Sequence, residues 1–322
     1  MTATTNPDIL QKFLFDAAPV RGELVRMEAT WQEVLNRHAY PVAVRRVLGE
    51  MMAAAALLSA NLKFNGALVM QLHGDGPVRM LVIECLSDLS MRATAKLAED
   101  AAIADDATLR QMVNVRGQGR FAITLDPQDK LPGQQPYQGI VPLHGDHREP
   151  LQQVAQVLEH YMLQSEQLDT RLVLAADERC AAGLLIQRLP VEGAGNLGSR
   201  RAEDDIGLHE GFNRIAMLAA TLTRGELLTL EADALLHRLF WQEPLTRFEP
   251  LQPRFACRCS RERVQGMLRS LGRAESESLI VERGLVEVGC DFCGLQYRFD
   301  AVDVGEMFTP GRDQPPASRA VQ

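Results

Sequence analysis

The sequence lacks the excess of basic residues on which nucleic-acid binding depends. Its 34 Lys and Arg residues are outnumbered by 42 Asp and Glu residues, which gives a formal net charge of −8 over 322 residues and argues against a polyanion partner. It also lacks a long apolar run, because its most apolar stretch, residues 51–58, is alanine-rich and too short to span a bilayer. Residues 1–7 show neither the basic region nor the apolar run of a secretory signal. We therefore expect a cytoplasmic protein that binds neither a membrane nor nucleic acid.

The sequence also lacks the residue patterns of common catalytic sites. None of its seven histidines forms His-Glu-x-x-His, or His-x-Glu with a Pro-Cys-x-x-Cys segment, which argues against a zinc protease and a zinc deaminase. The acidic residues show no pairing that indicates general acid–base catalysis. The closest approach to a phosphate-binding loop, Arg116–Arg120, lacks the remaining glycine and the lysine of a nucleotide motif, so we interpret it as a turn. We predict no catalytic residue and no organic cofactor, and therefore no enzyme.

Cysteine is scarce, but four of the six cysteines form a C-x-C and a C-x-x-C pair, at Cys257, Cys259, Cys290 and Cys293. Close cysteine pairs in a reducing compartment are more often metal ligands or redox groups than permanent disulfides. Four thiolates suit the closed tetrahedral site of a structural zinc ion. The alternative is a set of ordinary buried thiols, which rarely fall in two such pairs. The sequence therefore predicts one Zn²⁺ per chain, held by these four residues.

The other two cysteines show no such pairing. Cys85 lies in an apolar strand-like segment, and Cys180 lies at a predicted hairpin turn. We interpret both as structural or incidental thiols, since their positions assign them no further role.

Predicted helices and strands along the chain indicate an α+β fold with a sheet covered by helices. A long helix over residues 41–61, with a buried alanine-rich centre, precedes three strand-like segments between residues 67 and 97. The short connections between these segments favour antiparallel pairing. We predict an N-terminal domain over residues 1–198, which ends in the glycine-rich segment 190–199.

Residues 199–244 are predicted to form a helical linker. Their apolar residues recur at helical spacing, which predicts two amphipathic helices with the inward-facing positions Leu208, Phe212, Ile215, Ala219, Leu222, Leu228, Leu235, Leu236, Leu239 and Phe240. Such periodicity alone does not distinguish helices packed permanently on a core from a surface that can be buried or released.

A small zinc-binding domain is predicted over residues 245–308. Its elements are a helix at 260–271 capped by Ser260 and short strands at 278–281, 285–288 and 296–299. The proline-containing segment 309–322 is predicted to be a disordered tail.

The cysteine segments, F-x-C-x-C-S-R-E-R from Phe255 and G-C-D-F-C-G-x-x-Y-x-F from Gly289, resemble the zinc centre of the redox-regulated 33-kilodalton heat-shock chaperone family. Further similarity runs along nearly the whole chain, at residues 21–25 with Trp31, 136–139, 165–168 and 181–187. The cysteine motif is the most specific of these elements, and the others support it by their order and spacing.

The resemblance implies a redox-regulated, ATP-independent holdase chaperone. In such a protein the reduced zinc-bound form is inactive, and oxidation of the four cysteines releases zinc, unfolds the switch region and exposes apolar surface that binds unfolding proteins. The resemblance also implies that oxidation links Cys257 to Cys259 and Cys290 to Cys293. It further implies that the oxidised form is a homodimer and that clients pass to an ATP-dependent foldase chaperone.

Two other functions remain open from the residues alone. A nucleic-acid-binding zinc module would need a basic face, and five arginines cluster near the first cysteine pair, at Arg254, Arg258, Arg261, Arg263 and Arg269. A thiol–disulfide oxidoreductase would use the Cys290–Cys293 pair at a helix N-terminus, although the segment after it is predicted to be a strand.

Overall fold

The computed structural model describes residues 7–62, 64–129, 133, 135–190 and 202–309, and for residues 202–209 it describes the backbone alone. The chain divides into two compact units, Met1–Ala256 and Cys257–Gln322. The predicted glycine-rich domain end falls mostly, and the predicted tail almost wholly, outside the described residues. The predicted domain boundaries themselves stay predictions.

The first unit contains two antiparallel sheets and helices that cover them. Its strands are β1 (Ile9–Phe15), β2 (Val20–Met27), β3 (Gly66–His73), β4 (Val78–Leu86), β5 (Ser90–Leu97), β6 (Arg120–Pro127), β7 (Tyr137–Pro142), β8 (Thr170–Ala176), β9 (Ala181–Arg188), β10 (Leu245–Arg247) and β11 (Arg254–Phe255). Its helices are α1 (Ala29–Leu35), α2 (Val42–Ser59), α3 (Leu109–Val113), α4 (Val154–Glu166), α5 (Ala202–Ala220), α6 (Arg224–Thr229) and α7 (Ala232–Phe240).

Within the described part of this unit, one sheet has the strand order β10-β1-β2-β9-β8 and the other has β11-β5-β4-β3-β6-β7. Only the pairing of β11 with β5 is parallel. The three strand-like segments predicted between residues 67 and 97 are β3, β4 and β5, and they pair antiparallel as expected. This arrangement of sheets and helices confirms the predicted α+β fold.

The predicted buried helix is α2, which contacts strands of both sheets and lies between them. Ala53, Ala54, Ala55 and Ala56 are all fully buried. Small side chains on every face of this helix let two sheets pack against it at once, and dense packing of this kind gives a large apolar core.

Helices α5, α6 and α7 cover the other face of the β1-β2-β9-β8 sheet. Their predicted inward-facing residues are buried there, including Ile215, Leu236 and Phe240. The Phe240 ring lies edge-on to that of Phe15, with centroids 5.0 Å apart. Leu208 falls among the side chains that are not described. The linker helices therefore pack on the first unit through the apolar stripe that the sequence predicts.

The residues just after the linker belong to the first unit. Strand β10 pairs with β1, and Leu251 forms an isolated bridge with Leu10. Strand β11 then joins the edge of the other sheet beside β5. No helix among the described residues is both long and apolar enough to cross a membrane.

The second unit contains helices α8 (Arg261–Leu271), α9 (Arg273–Arg283) and α10 (Ala301–Met307), and strands β12 (Val286–Gly289) and β13 (Gln296–Phe299). The strands form an antiparallel hairpin. Its core is small and consists of Leu268, Val286, Tyr297, Phe299, Val304 and Met307.

The prediction of a strand at residues 278–281 is wrong, because this segment lies inside helix α9. Its three successive aliphatic residues resemble a strand, but local helix signals surround them. Arg273 pairs with Glu277 one turn later at 2.7 Å, and Gly284 ends the helix in the left-handed conformation with φ 74°. The strands predicted at 285–288 and 296–299 correspond to β12 and β13.

Candidate metal centre

The four clustered cysteines come from two local structures of the second unit. Cys257 and Cys259 lie in the extended segment before α8, where alternate side chains point the same way. Cys290 and Cys293 lie in the turn that joins β12 to β13. In this turn the Cys290 amide donates to the Leu295 carbonyl at 2.9 Å, and the Gly294 amide donates to the Cys290 carbonyl at 2.8 Å. Gly294 has φ 73°, a conformation that glycine adopts without steric cost.

The four sulfur atoms lie within 4.8 Å of one another. The Sγ atoms of Cys257 and Cys290 are 3.6 Å apart, and those of Cys259 and Cys293 are 3.3 Å apart. Zinc–sulfur bonds of about 2.3 Å in a tetrahedron place the sulfurs about 3.8 Å from one another. The cluster therefore fits a single four-coordinate zinc ion. No other group of three or more His, Cys, Asp or Glu ligand atoms converges in this way among the described residues.

Four thiols held this close together favour their protonated form. Burial raises the pKa of Cys290, and burial together with the neighbouring sulfurs raises the pKa of Cys293 to about 12. Thiolate ligands must lose their protons when a metal binds, and a dication supplies the charge that makes this favourable. The site is thus suited to a strongly bound cation that displaces protons, and its metal affinity should fall in acid.

Tyr297 on β13 is a residue of the site that sequence reasoning did not single out. Its side chain is buried, and the interaction of its hydroxyl with the Cys259 side chain raises the pKa of the tyrosine. Hydrogen bonds to ligand atoms orient them and tune the metal. The sequence feature that could have identified Tyr297 is its position in the G-x-x-Y segment, four residues after Cys293.

The remaining two cysteines belong to the first unit and are not part of the cluster. Cys85 lies on β4 and is completely buried, and burial raises its pKa to about 12. Cys180 is also buried, which raises its pKa to about 11. Both thiols are therefore protonated at neutral pH, and buried protonated thiols react slowly.

The setting of the C-x-x-C pair differs from that of a thiol–disulfide oxidoreductase. Such enzymes place the pair at a helix N-terminus, where the helix lowers the pKa of the attacking thiol. Here Cys290 and Cys293 join two antiparallel strands, and the pKa of both thiols is raised.

Several of the clustered arginines already have partners within their own unit. Arg261 pairs with Asp303 at 2.7 Å and lies over the Phe299 ring, 4.2 Å from its centroid. Arg269 donates to the Met307 carbonyl at 3.1 Å, and Arg254 pairs with Asp88. These guanidinium groups stabilise local structure, so they do not form the free basic face that a nucleic-acid module needs.

Comparison with known proteins agrees with this geometry. The family model described as Hsp33 protein matches residues 8–300. The chain belongs to the Hsp33 family. The 33 kDa chaperonin of Chromobacterium violaceum is 48% identical over 301 residues, which cover 94% of each chain. The 33 kDa chaperonin of Neisseria meningitidis serogroup A is 43% identical over 95% of this chain and 93% of that protein.

A solved structure shows the same fold. The crystal structure of the 33 kDa chaperonin from Thermotoga maritima matches with a TM-score of 0.74 at 23% identity, over 94% of this chain and 98% of that one. Hsp33 membership places the protein among chaperones, which bind unfolded proteins, and not among enzymes. The resemblance in the cysteine segments is thereby confirmed at the level of the family.

Proposed function

We propose that this protein is a redox-regulated, ATP-independent holdase chaperone whose zinc centre is its switch. The observation that carries the proposal is the convergence of four thiol sulfurs in a unit with a very small apolar core. We infer that Cys257, Cys259, Cys290 and Cys293 bind one Zn²⁺ in the reduced protein, which is then inactive.

Zinc supplies much of the folding free energy of small cysteine-rich units, about 10–16 kcal/mol in peptides. This exceeds or equals the stability of about 5–15 kcal/mol that a whole domain normally has. A peroxide-class oxidant takes two electrons from each pair of thiolates, and one S–S bond forms per pair. Cys257, Cys259, Cys290 and Cys293 would then no longer be available to hold a zinc ion, and the second unit would lose the stabilisation that bound metal would supply.

The pairing of the four cysteines in disulfides is a separate question from their role as metal ligands. The closest sulfurs in the reduced site belong to different pairs, Cys257 with Cys290 and Cys259 with Cys293. We propose that the disulfides instead join near neighbours, Cys257 to Cys259 and Cys290 to Cys293. All four sulfurs lie within 4.8 Å of one another, so the sulfurs within each pair are also close, and peptide mapping of the oxidised protein distinguishes the two pairings.

The linker helices are the second element of the switch. Their apolar faces are buried on the β1-β2-β9-β8 sheet, around Ile215, Leu236 and Phe240. We propose that unfolding of the second unit releases these helices, which exposes both their own apolar face and the sheet beneath. Newly exposed apolar surface of this kind binds other non-native chains.

We propose further that the oxidised form is a homodimer and that it passes its clients to an ATP-dependent foldase chaperone. The site requires reduced thiols before activation, which fits the cytoplasm because glutathione and thioredoxin keep thiols reduced there.

The test is an aggregation-suppression assay on the reduced and the oxidised protein, with zinc release measured in the same samples. Light scattering from a heat-unfolding client should fall only with the oxidised protein, and about one zinc per chain should be released as activity appears. Peptide mapping of the active form should find the two near-neighbour disulfides. Full activity in the zinc-loaded reduced protein would contradict the redox switch.

A further inference from the structure

An open, cationic surface cavity of about 390 Å³, whose arginines are exposed, lies at one end of the β11-β5-β4-β3-β6-β7 sheet, where β3 ends and β6 begins. His73 of β3 lies opposite Arg120 of β6 in the sheet register. The Gly74 amide donates to the Arg79 carbonyl at 2.9 Å, which closes the turn between β3 and β4. The residues that line the cavity are His73, Gly74, Asp75, Arg79, Arg116, Gln118 and Arg120. Its volume lies in the range of small-molecule sites.

The segment Arg116–Arg120, which the sequence predicts to be a turn, is held firmly in place on one side of this cavity. The Asp75 carboxylate accepts hydrogen bonds from the amides of Val115 at 2.7 Å, Arg116 at 2.9 Å and Gln118 at 2.8 Å. Gly117 has φ 78°, which a residue with a side chain rarely adopts. The two arginines that flank the turn therefore start from a fixed backbone, and preorganisation of this kind lowers the cost of binding.

The charges around the cavity are not balanced. Arg79, Arg116 and Arg120 form no ion pair within the part of the chain that the structure describes. Asp75 is the only acidic residue of the lining, and the three backbone amides already occupy its oxygens. Burial and the neighbouring Arg120 both lower the pKa of His73, which agrees with a positive potential inside the cavity. Concave surfaces of one charge sign concentrate ions of the opposite sign.

We propose that this cavity binds a phosphorylated small molecule through its phosphate or diphosphate group. Guanidinium groups match the oxygens of a phosphate in pairs of charge-assisted hydrogen bonds, and three of them suit more than one phosphate. The chain as a whole has a net charge of −8, so general attraction of the protein for anions does not explain such binding. The site lies wholly in the first unit and uses no cysteine, and it therefore does not depend on the zinc switch.

Calorimetric titration of the full-length, reduced, zinc-loaded protein with inorganic pyrophosphate tests the proposal. Arg79→Gln, Arg116→Gln and Arg120→Gln should each weaken binding about tenfold or more, because a hydrogen bond to a charged group contributes about 1.5–3 kcal/mol and 1.4 kcal/mol is tenfold in affinity. The triple variant should show no binding. Arg110→Gln is the matched control, since Arg110 is exposed on the adjacent helix α3 but does not line the cavity. It should bind within about twofold of the wild type.

Tryptophan fluorescence should show that the variants are folded, because both tryptophans, Trp31 and Trp241, lie in the first unit. Their thermal unfolding midpoints without pyrophosphate should match that of the wild type. Absence of binding at millimolar pyrophosphate, or unchanged binding by the triple variant, would overturn the proposal. A single-stranded oligonucleotide that binds more tightly than pyrophosphate, and loses affinity in the same variants, would also overturn it, in favour of a nucleic-acid surface.

Discussion

The two units of the chain differ most in how they are held together. In the first unit, helix α2 is buried between two sheets, and the linker helices bury a second apolar layer on the outer face of one of them. Among the described residues of the second unit, the buried core has six apolar residues around Phe299. A core of that size contributes little more than the conformational entropy that folding costs. The first unit can therefore fold on its own apolar burial, whereas we expect the second to need a bound metal as well.

The helices of the second unit show the same dependence. Helix α8 fully buries only Leu268, and α9 fully buries only Ser276. What supports these helices is mostly local, such as the Ser260 cap and the exposed pair between Arg273 and Glu277. A cap contributes about 1 kcal/mol and an exposed pair less. Loss of a metal bound by the four cysteines should therefore unfold α8 and α9 together with the β12–β13 hairpin, while the two sheets of the first unit stay folded.

The largest effect should come from removing one thiolate of the cluster. We expect Cys290→Ser to lower zinc affinity by more than about a hundredfold, since even changes outside the first coordination shell cost about 10- to 100-fold. The variant should lose its zinc during purification, and limited proteolysis should cut within residues 257–309. The two sheets of the first unit, with the buried Trp31, should stay folded, whereas the linker helices should become open to the protease.

Cys180→Ser is the matched control, because Cys180 is a buried thiol outside the cluster. It should keep about one zinc per chain and the protease resistance of the second unit. Full metal content in Cys290→Ser would show that this residue is not a ligand. Unfolding of both units in Cys290→Ser would show that the first unit is not independently stable.

The next effect concerns the linker helices, which we expect to be released without any change at the zinc site. Ile215 on α5 and Leu239 on α7 are buried in the apolar layer on the sheet. An aspartate at either position places a charge where a large apolar side chain contributed about 1.5–3 kcal/mol. We predict that Ile215→Asp and Leu239→Asp suppress client aggregation in the reduced protein while one zinc per chain stays bound.

Met217→Asp and Ala234→Asp are the matched controls, since both residues are exposed on the same two helices. They should remain inactive until the protein is oxidised. If Ile215→Asp and Leu239→Asp also stay inactive, while proteolysis shows that their linker is already open, then linker release does not control activity. The second unit itself would then have to hold the protein in its inactive state.

A third effect concerns an ionisable group that is buried in the large core of the first unit. Glu23 on β2 is completely buried in the first unit, and burial raises its pKa to about 7, although Lys12 and Arg21 act in the opposite direction. Because the folded pKa exceeds the unfolded value of 4.5, the protonated carboxyl favours folding. This stability is present below about pH 4.5 and is lost as the pH rises through 7.

We therefore predict that Glu23→Gln stabilises the first unit at pH 8 by up to about 3 kcal/mol, since each unit of pKa shift corresponds to about 1.4 kcal/mol. The variant should change stability little near pH 4.5. Urea unfolding followed by tryptophan fluorescence measures this difference in the first unit alone. The exposed Glu178→Gln should show no such pH dependence. A variant that is more destabilised at pH 8 than at pH 4.5 would show that the ionised carboxylate has favourable partners.

How much of the structure could be predicted from the sequence depends on how far apart in the chain the interacting residues lie. The cysteine pairs, the buried α2 and the apolar stripe of the linker are local patterns, and the structure has each of them where it was expected. The prediction of a strand at residues 278–281 failed because it gave more weight to the aliphatic run than to the helix signals. Those signals lie at the two ends of α9, at Arg273 and Gly284. Those signals were also local, so a closer reading of the caps would have found the helix.

The division of the strands into two sheets could not be predicted in this way. Strand β1 pairs with β10 more than two hundred residues later, and β11 joins β5 across 164 residues, from Ser90 to Arg254. Such pairings depend on the whole topology and leave no periodic signal in either strand. The interaction between the Tyr297 hydroxyl and Cys259 could not be predicted for the same reason. It depends on how the β12–β13 hairpin packs beside the first cysteine pair.

The smallest predicted effect tests whether helix and metal site in the second unit fold as one. Ser260 directly follows Cys259, and its hydroxyl accepts the Arg263 amide at 3.3 Å as the cap of α8. Its loss in Ser260→Ala should cost about 1 kcal/mol of helix stability. Because metal binding and folding are linked in such units, that cost should appear as about fivefold weaker zinc retention against a competing chelator.

Ser278→Ala is the matched control, since Ser278 is exposed on α9 and caps nothing, and it should retain zinc like the wild type. If Ser260→Ala lowers the helix content measured by circular dichroism but leaves zinc retention unchanged, the four thiolates hold the metal without help from α8. The metal would then stabilise only the β12–β13 turn and the extended segment, and unfolding of the helices would need a separate trigger.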